Sequence, residues 1–98
     1  MATSFAHIAY IEKEKINSLQ FPKGDVLQED DARSKRSVII DQAIDAGNFA
    51  QFKVLIVFED LDGLKEVETT IWGRDKRSIL LKNGIRIPVE RIHKVRFN

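Results

Sequence analysis

The sequence predicts a single α+β domain over residues 1–98, with a helical portion (1–48) followed by five short antiparallel strands (49–98). The apolar residues recur at helical spacing up to Gly47, and from Phe49 onward they alternate with a period of two. Glycine-containing turn pairs then divide the second half into short strands. Ninety-eight residues are enough for one modest core.

The best-defined helix is predicted over residues 30–46. Gly47 is expected to end it, because glycine adopts the left-handed C-cap conformation without a steric cost. Arg36 is expected along the edge of the apolar face, whose members are Ala32, Arg36, Ile39, Ile40, Ala43 and Ile44. Upstream, "AYIEKEKINSLQF" has the spacing of a short helix, while the overlapping "FAHIAYI" alternates as an extended segment does. The pattern therefore predicts one or two helices.

The second half of the chain reads as strands. The segments are 51–59, 64–73, 77–82, 85–88 and 93–97. Asp62-Gly63 predicts a tight turn, and Asn83-Gly84 predicts a type I′ turn with positive φ at both residues. Pro88 is expected to end pairing and to lead into one 3₁₀ turn. Even-numbered residues of the first strand, from Phe52 to Phe58, are predicted to share one face, and Phe97 is predicted to point inward.

Five short strands, tight hairpins and a one-turn helix before the last strand are typical of a small SH3-like or Sm-like β-barrel. A helix before the first strand is also a feature of Sm-like proteins. The motif residues with which Sm proteins hold a uridine are not recognisable in this sequence. The resemblance therefore implies an architecture and no ligand.

The stretches "YIEKEKINSLQFPKGD" and "VETTIWG…ILLKNGIRIPVERI" resemble a group of short, uncharacterised bacterial proteins. In that group an N-terminal helical portion precedes a β-rich portion, and the likeness covers most of the chain. The resemblance implies the same order of elements and brings no activity with it.

The sequence does not contain a recognisable set of catalytic residues. There is no cysteine, and His7 and His93 are the only histidines. Asp60 and Asp62 fit turn chemistry better than a calcium loop, which needs about twelve residues. No glycine motif for phosphate binding is present. We therefore expect no enzyme activity, no cofactor and no bound metal.

Charge is distributed unevenly along the chain, although the net charge is +1. Residues 37–70 carry two cations and seven anions, a net charge of −5, and residues 71–98 carry eight cations and two anions, a net charge of +6. Cations clustered on one face are the usual footprint of a nucleic-acid binder. The near balance equally fits cross-strand pairs with the acidic segment, for example through Glu66 or Glu68.

Trp72 is the only tryptophan, and alternation places it on the outer face with Glu66 and Glu68. An exposed tryptophan serves as a stacking platform for a base or as an anchor in a protein interface, and a bulge at Gly73 would instead turn it inward. The candidate interaction surface comprises Trp72, Arg74, Arg77, Arg86, Lys94 and Arg96.

The favoured function is a non-enzymatic interaction module, expected in the cytoplasm, that binds a protein partner or self-associates. The alternative is RNA or single-stranded nucleic-acid binding through the candidate surface. The first fifteen residues lack the basic start of a signal peptide, and no apolar run reaches the ~20 residues that cross a bilayer. No membrane partner is therefore expected.

Overall fold

One long helix dominates the N-terminal half of the computed structural model, which describes residues 7–97. Helix α1 spans Asp30–Ala50 and is four residues longer than predicted. It ends at Gln51, whose left-handed backbone (φ 56°) lets its N–H donate to the carbonyls of Ala46 and Gly47. The prediction that Gly47 ends the helix is wrong.

Gly47 lies inside α1 because the helix touches the sheet there. A Cβ atom at this position would lie 2.6 Å from Thr70 Cγ2 and 2.8 Å from the carbonyl oxygen of Ile71. Only glycine permits this approach, so the residue is selected by packing and not by capping. The face that α1 buries is otherwise close to the predicted one, with Arg36, Ile40 and Ala43 buried.

The segment before α1 combines both structures that the sequence allowed. Residues Ala9–Tyr10 form strand β1, and Lys13–Ser18 form a 3₁₀ helix. Ile16 of this helix is buried and joins the core, so the segment is part of the domain.

Six further strands follow α1. They are β2 (Val54–Asp60), β3 (Gly63–Thr69), β4 (Gly73–Arg74), β5 (Ser78–Leu80), β6 (Arg86–Pro88) and β7 (Ile92–Phe97). One sheet has the strand order β1-β3-β2-β7, and the other has the order β4-β5-β6. All pairs are antiparallel except β1 with β3.

The α+β class is confirmed, but residues 7–97 contain seven strands in two sheets instead of one five-stranded barrel. Two features of the chain explain the difference. The predicted strand 64–73 divides into β3 and β4 at residues 70–72, where the backbone passes against Gly47. The N-terminal segment adds β1 by pairing with β3, with Ala9 opposite Lys65.

The core lies between α1 and the inner faces of the two sheets. Its fully buried residues in the strands and in the links between them include Val54, Ile56, Phe58, Val67, Ile71, Ile79, Leu81, Ile87 and Ile92. Phe52 and Phe97 were expected to point inward, but they are 58% and 40% exposed. Phe52 precedes the first residue of β2, and Phe97 pairs with Val54 in the last row of the ladder, so neither has a complete layer above it.

The predicted turns are largely confirmed. Asn83 and Gly84 both have positive φ (64° and 74°), but the connection has three residues, because Leu81 N–H donates to the carbonyl of Ile85. A 3₁₀ helix at Val89–Arg91 precedes β7 as predicted. Within residues 7–97, none of the helices combines the length and the apolar character that a bilayer crossing requires.

Candidate binding groove

The best-paired charges of the molecule lie beside the first half of α1. Arg36, only 7% exposed, donates from both terminal nitrogens to the two oxygens of Asp25, each at 2.7 Å, and also to the carbonyl of Ile92 at 3.1 Å. Arg33 Nε lies 3.4 Å from the same carboxylate. This bidentate pair joins the loop before α1, the helix and β7.

The surroundings of Asp25 keep it ionised. Burial of the carboxyl opposes ionisation, but hydrogen bonds from Arg36 and from the N–H of Leu27 outweigh it and hold the pKa of Asp25 below its ordinary value. Arg36 Nε is buried and has no hydrogen-bond partner within residues 7–97. Because the Arg36–Asp25 pair connects α1 to the preceding loop and to β7, we call it the structural clamp of the helix.

A second polar group ties β7 to β2. Arg91 donates to the carbonyls of Glu59 and Gly24, each at 3.0 Å. The Nε2 atom of His93 lies 2.7 Å from Glu59 Oε1. The contacts of His93 are thus those of a partly buried structural residue, and no group of three or more metal-binding side chains occurs in the described part of the chain.

Two residues of the predicted surface contact nearby carboxylates. Arg74 lies against α1, where it donates to Ser37 Oγ at 3.2 Å and approaches Asp41 at 3.6 Å. Arg86 forms a 3.0 Å ion pair with Asp75 across the small sheet. The pKa of Asp75 is lowered, chiefly by hydrogen bonds from the N–H groups of Arg77 and Ser78.

The remaining predicted residues lie on three different surfaces. Lys94 and Arg96 are on the outer face of the large sheet, opposite Val57 and Leu55 of β2. Arg77 lies at the turn before β5. Trp72 lies between β3 and β4, close to the end of α1. The six residues therefore do not form one continuous basic strip.

Trp72 lies in a groove of about 500 Å³ between the end of α1 and the two sheets, which we call the Trp72 groove. Its lining residues are Lys13, Gly47, Asn48, Gln51, Lys53, Glu68, Thr69, Thr70, Trp72 and Lys82. The Trp72 backbone is fixed by a 2.8 Å hydrogen bond from its N–H to the carbonyl of Leu80, while the residue is 49% exposed. The groove thus contains a partly exposed tryptophan whose backbone is hydrogen-bonded to the neighbouring strand.

The charge of the Trp72 groove is positive. Lys13, Lys53 and Lys82 line it from three separate parts of the chain, and Glu68 is the only acidic residue in the lining. Lys13 also lies 3.3 Å from Glu14. The polar groups of Asn48 and Gln51 add donors and acceptors, so the groove suits a ligand with negative charge and hydrogen-bonding groups.

Two exposed phenylalanines flank this groove in the chain. Phe49 is 95% exposed and Phe52 is 58% exposed, and both belong to the segment that supplies Gln51 and Lys53 to the lining. Side chains this large, apolar and exposed are available to a partner protein.

The groove was missed at the level of sequence, apart from Trp72. Its three lysines are 29 to 69 positions apart, and only the pairing of the two sheets with α1 brings them together. No local motif marks them. The chain matches no protein-family model, and no curated protein or solved structure is significantly similar to it.

Proposed function

We propose that this chain is a non-enzymatic interaction module that binds an acidic segment of a partner protein in the Trp72 groove. The observation that carries the proposal is the half-exposed Trp72 in a groove lined by three lysines. Tryptophan is enriched among the residues that dominate protein-binding energy, because it buries a large area at a low cost in side-chain entropy.

The exposed phenylalanines favour a protein over a small anion. Phe52 is exposed between the lining residues Gln51 and Lys53 in the chain, and Phe49 is exposed in the same segment. A partner with acidic residues flanking an apolar side chain would place carboxylates near Lys53 and Lys82 and the apolar group against Trp72. Charge complementarity of this kind chiefly raises the association rate and the specificity.

Single-stranded nucleic acid is the second candidate ligand. A base stacked on Trp72, with phosphates near the three lysines, is a recognised mode of single-strand binding. Glu68 disfavours this ligand more than a peptide, because nucleic acid carries a charge at every nucleotide, whereas a peptide can place an uncharged residue beside the carboxylate. The protein ligand is therefore favoured.

Because Trp72 is the only tryptophan, its fluorescence reports directly on the groove. The protein is titrated with an acidic peptide that contains one leucine, and separately with a single-stranded oligonucleotide of similar charge. We expect the peptide to shift the Trp72 emission and Lys53→Glu or Lys82→Glu to weaken its binding. Lys35→Glu is the matched control, since Lys35 lies on the first turns of α1 and pairs with Asp31.

The responses to the peptide and to the oligonucleotide distinguish a protein partner from single-stranded nucleic acid. A shift with the oligonucleotide alone would replace the protein ligand with nucleic acid. Binding of neither ligand at low ionic strength would overturn the proposal, and so would equal weakening by Lys35→Glu and the groove variants.

A further inference from the structure

The outer face of the large sheet carries three parallel columns of side chains. The pairing register places Val57 opposite both Glu66 of β3 and Lys94 of β7. In the next row, Leu55 lies opposite both Glu68 and Arg96. We call these six residues the outer sheet face.

Side chains of directly paired residues point to the same side of a sheet, so each row reads acidic, apolar, basic. Neighbouring strands are about 4.8 Å apart, which puts the acidic and basic columns about 10 Å from each other with the apolar column between them. Lys94 and Arg96 are exposed, Leu55, Glu66 and Glu68 are partly exposed, and Val57 is only 6% exposed. A shallow groove of about 240 Å³ lies over this face and is bordered also by Ile8.

A face with this order of charges is complementary to itself in only one arrangement of two packed sheets. A two-fold axis parallel to β2 would place each acidic column against the basic column of the second copy. Glu66 would then face Lys94, and Glu68 would face Arg96. An axis perpendicular to β2 in the plane of the interface would instead bring like charges together, which costs free energy.

We propose that the chain forms a two-fold homodimer through the outer sheet face, with the sheets packed face to face and the strands of the two copies running in the same direction. The partly exposed Leu55 of each copy packs at the centre, next to the buried Val57, and two acidic-to-basic contacts lie on each side. An interface between two copies of one chain uses the same patch twice, as this face does.

The dimer involves one residue of the Trp72 groove. Among the six residues of the outer sheet face, only Glu68 also lines that groove. Six residues per copy are fewer than the roughly 20–30 per partner of a standard stable complex, so we expect a weak dimer that depends on concentration. Its charged contacts lie at the rim, and raised salt should weaken it further.

Paired charge reversal tests the arrangement. Glu66→Lys/Glu68→Lys makes both outer columns basic, and Lys94→Glu/Arg96→Glu makes both acidic. We expect sedimentation equilibrium at low ionic strength to show a dimer for the wild-type chain and a monomer for each double variant alone. An equimolar mixture of the two variants should restore the dimer, because an all-basic face then meets an all-acidic one.

Lys76→Glu/Arg77→Glu is the matched control, since it reverses two cations outside the outer sheet face and should leave the dimer intact. Circular dichroism establishes that each variant is folded. Should Glu66→Lys/Glu68→Lys fail to fold, Lys94→Glu/Arg96→Glu changes only exposed residues and should still give a folded monomer, and the loss of the wild-type dimer at high salt gives a second readout.

Three results would overturn the proposal. One is a wild-type chain that stays monomeric at millimolar concentration and low salt. Another is a folded pair of variants whose mixture stays monomeric. The third is dissociation of the dimer by the Lys76→Glu/Arg77→Glu control.

Discussion

The two ends of helix α1 differ in how they are held and in whether nearby charges are paired. At its first half, Arg36 is buried and bonded to both oxygens of Asp25. At its last turn, Gly47 brings the helix backbone against the sheet, and the half-exposed Trp72 lies there in a groove lined by lysines. The first half of α1 is held by a buried ion pair, and its last turn is held by close packing against the sheet.

Comparison of the two ends of α1 distinguishes cations that stabilise the fold from cations that are available to a ligand. Arginine forms planar bidentate pairs and is suited to buried clamps, as Arg36 shows, whereas lysine is a flexible point charge that stays hydrated. The sequence predicted a binding surface made of Trp72, four arginines and Lys94, all in the C-terminal part. In the structure, Arg74 and Arg86 lie on carboxylates, and the Trp72 groove contains lysines.

Breaking the clamp should have the largest effect. Asp25→Ala leaves the guanidinium of Arg36 buried without its carboxylate, and loss of one partner of a buried pair typically costs about 3–5 kcal/mol. We expect a fall of that size in the free energy of unfolding, measured by urea denaturation. The double variant Asp25→Leu/Arg36→Met should be more stable than Asp25→Ala, since it leaves no buried charge. Equal stability of the single and double variants would contradict the clamp.

A side chain added at Gly47 tests the close packing between the last turn of α1 and the sheet. Gly47→Ala raises helix propensity, but its Cβ would meet Thr70 Cγ2 and the carbonyl of Ile71. We expect a net destabilisation of about 1–3 kcal/mol, as for other overpacked sites. Asn48→Ala, at an exposed neighbour, should change stability by less than about 0.5 kcal/mol. A stabilised Gly47→Ala variant would show that the helix does not touch the sheet there.

Acid should loosen the first half of α1. Because the pKa of Asp25 is lower in the folded chain than its ordinary value of 3.8, the unfolded chain binds this proton more readily. Its stabilising contribution is therefore complete above the ordinary value and is lost as pH falls through the folded pKa. Thermal unfolding at decreasing pH should show a shallower decline for Asp25→Asn than for the wild-type chain. Identical pH profiles for Asp25→Asn and the wild-type chain would show that protonation of Asp25 does not cause the loss of stability in acid.

The smallest effect is expected from an exposed pair. Arg86 and Asp75 are both exposed, and surface ion pairs of this kind contribute little. Arg86→Ala should leave the urea midpoint unchanged within error. A clear loss of stability would mean that the small sheet depends on this contact, and the contrast between structural and surface arginines would need revision.

The fold was predictable where local chemistry decides it. The positive φ of Asn83 and Gly84 follows from the turn type, and the long buried strand β2 follows from its apolar run. Strands β1 and β4 have two residues each, too few for a period to show. Gly47 misled because a glycine that permits close packing looks the same in sequence as one that ends a helix.

The Trp72 groove was predictable only in part. An outward Trp72 follows from alternation along the predicted strand 64–73, and in the structure Trp72 is half exposed. The burial of Arg36 depends on Asp25, which lies eleven residues earlier in a loop. Contacts of this kind are set by tertiary packing, and no pattern along the chain encodes them.

Binding of a fluorescently labelled acidic peptide to three forms of the chain tests the central claim most directly. Fluorescence anisotropy would compare the wild-type chain, Trp72→Ala and Arg86→Ala. The Trp72 groove account predicts a loss of affinity of roughly tenfold or more for Trp72→Ala, as for an interface anchor, and no change for Arg86→Ala. Equal affinity for the wild-type chain and Trp72→Ala, or a loss confined to Arg86→Ala, would contradict it.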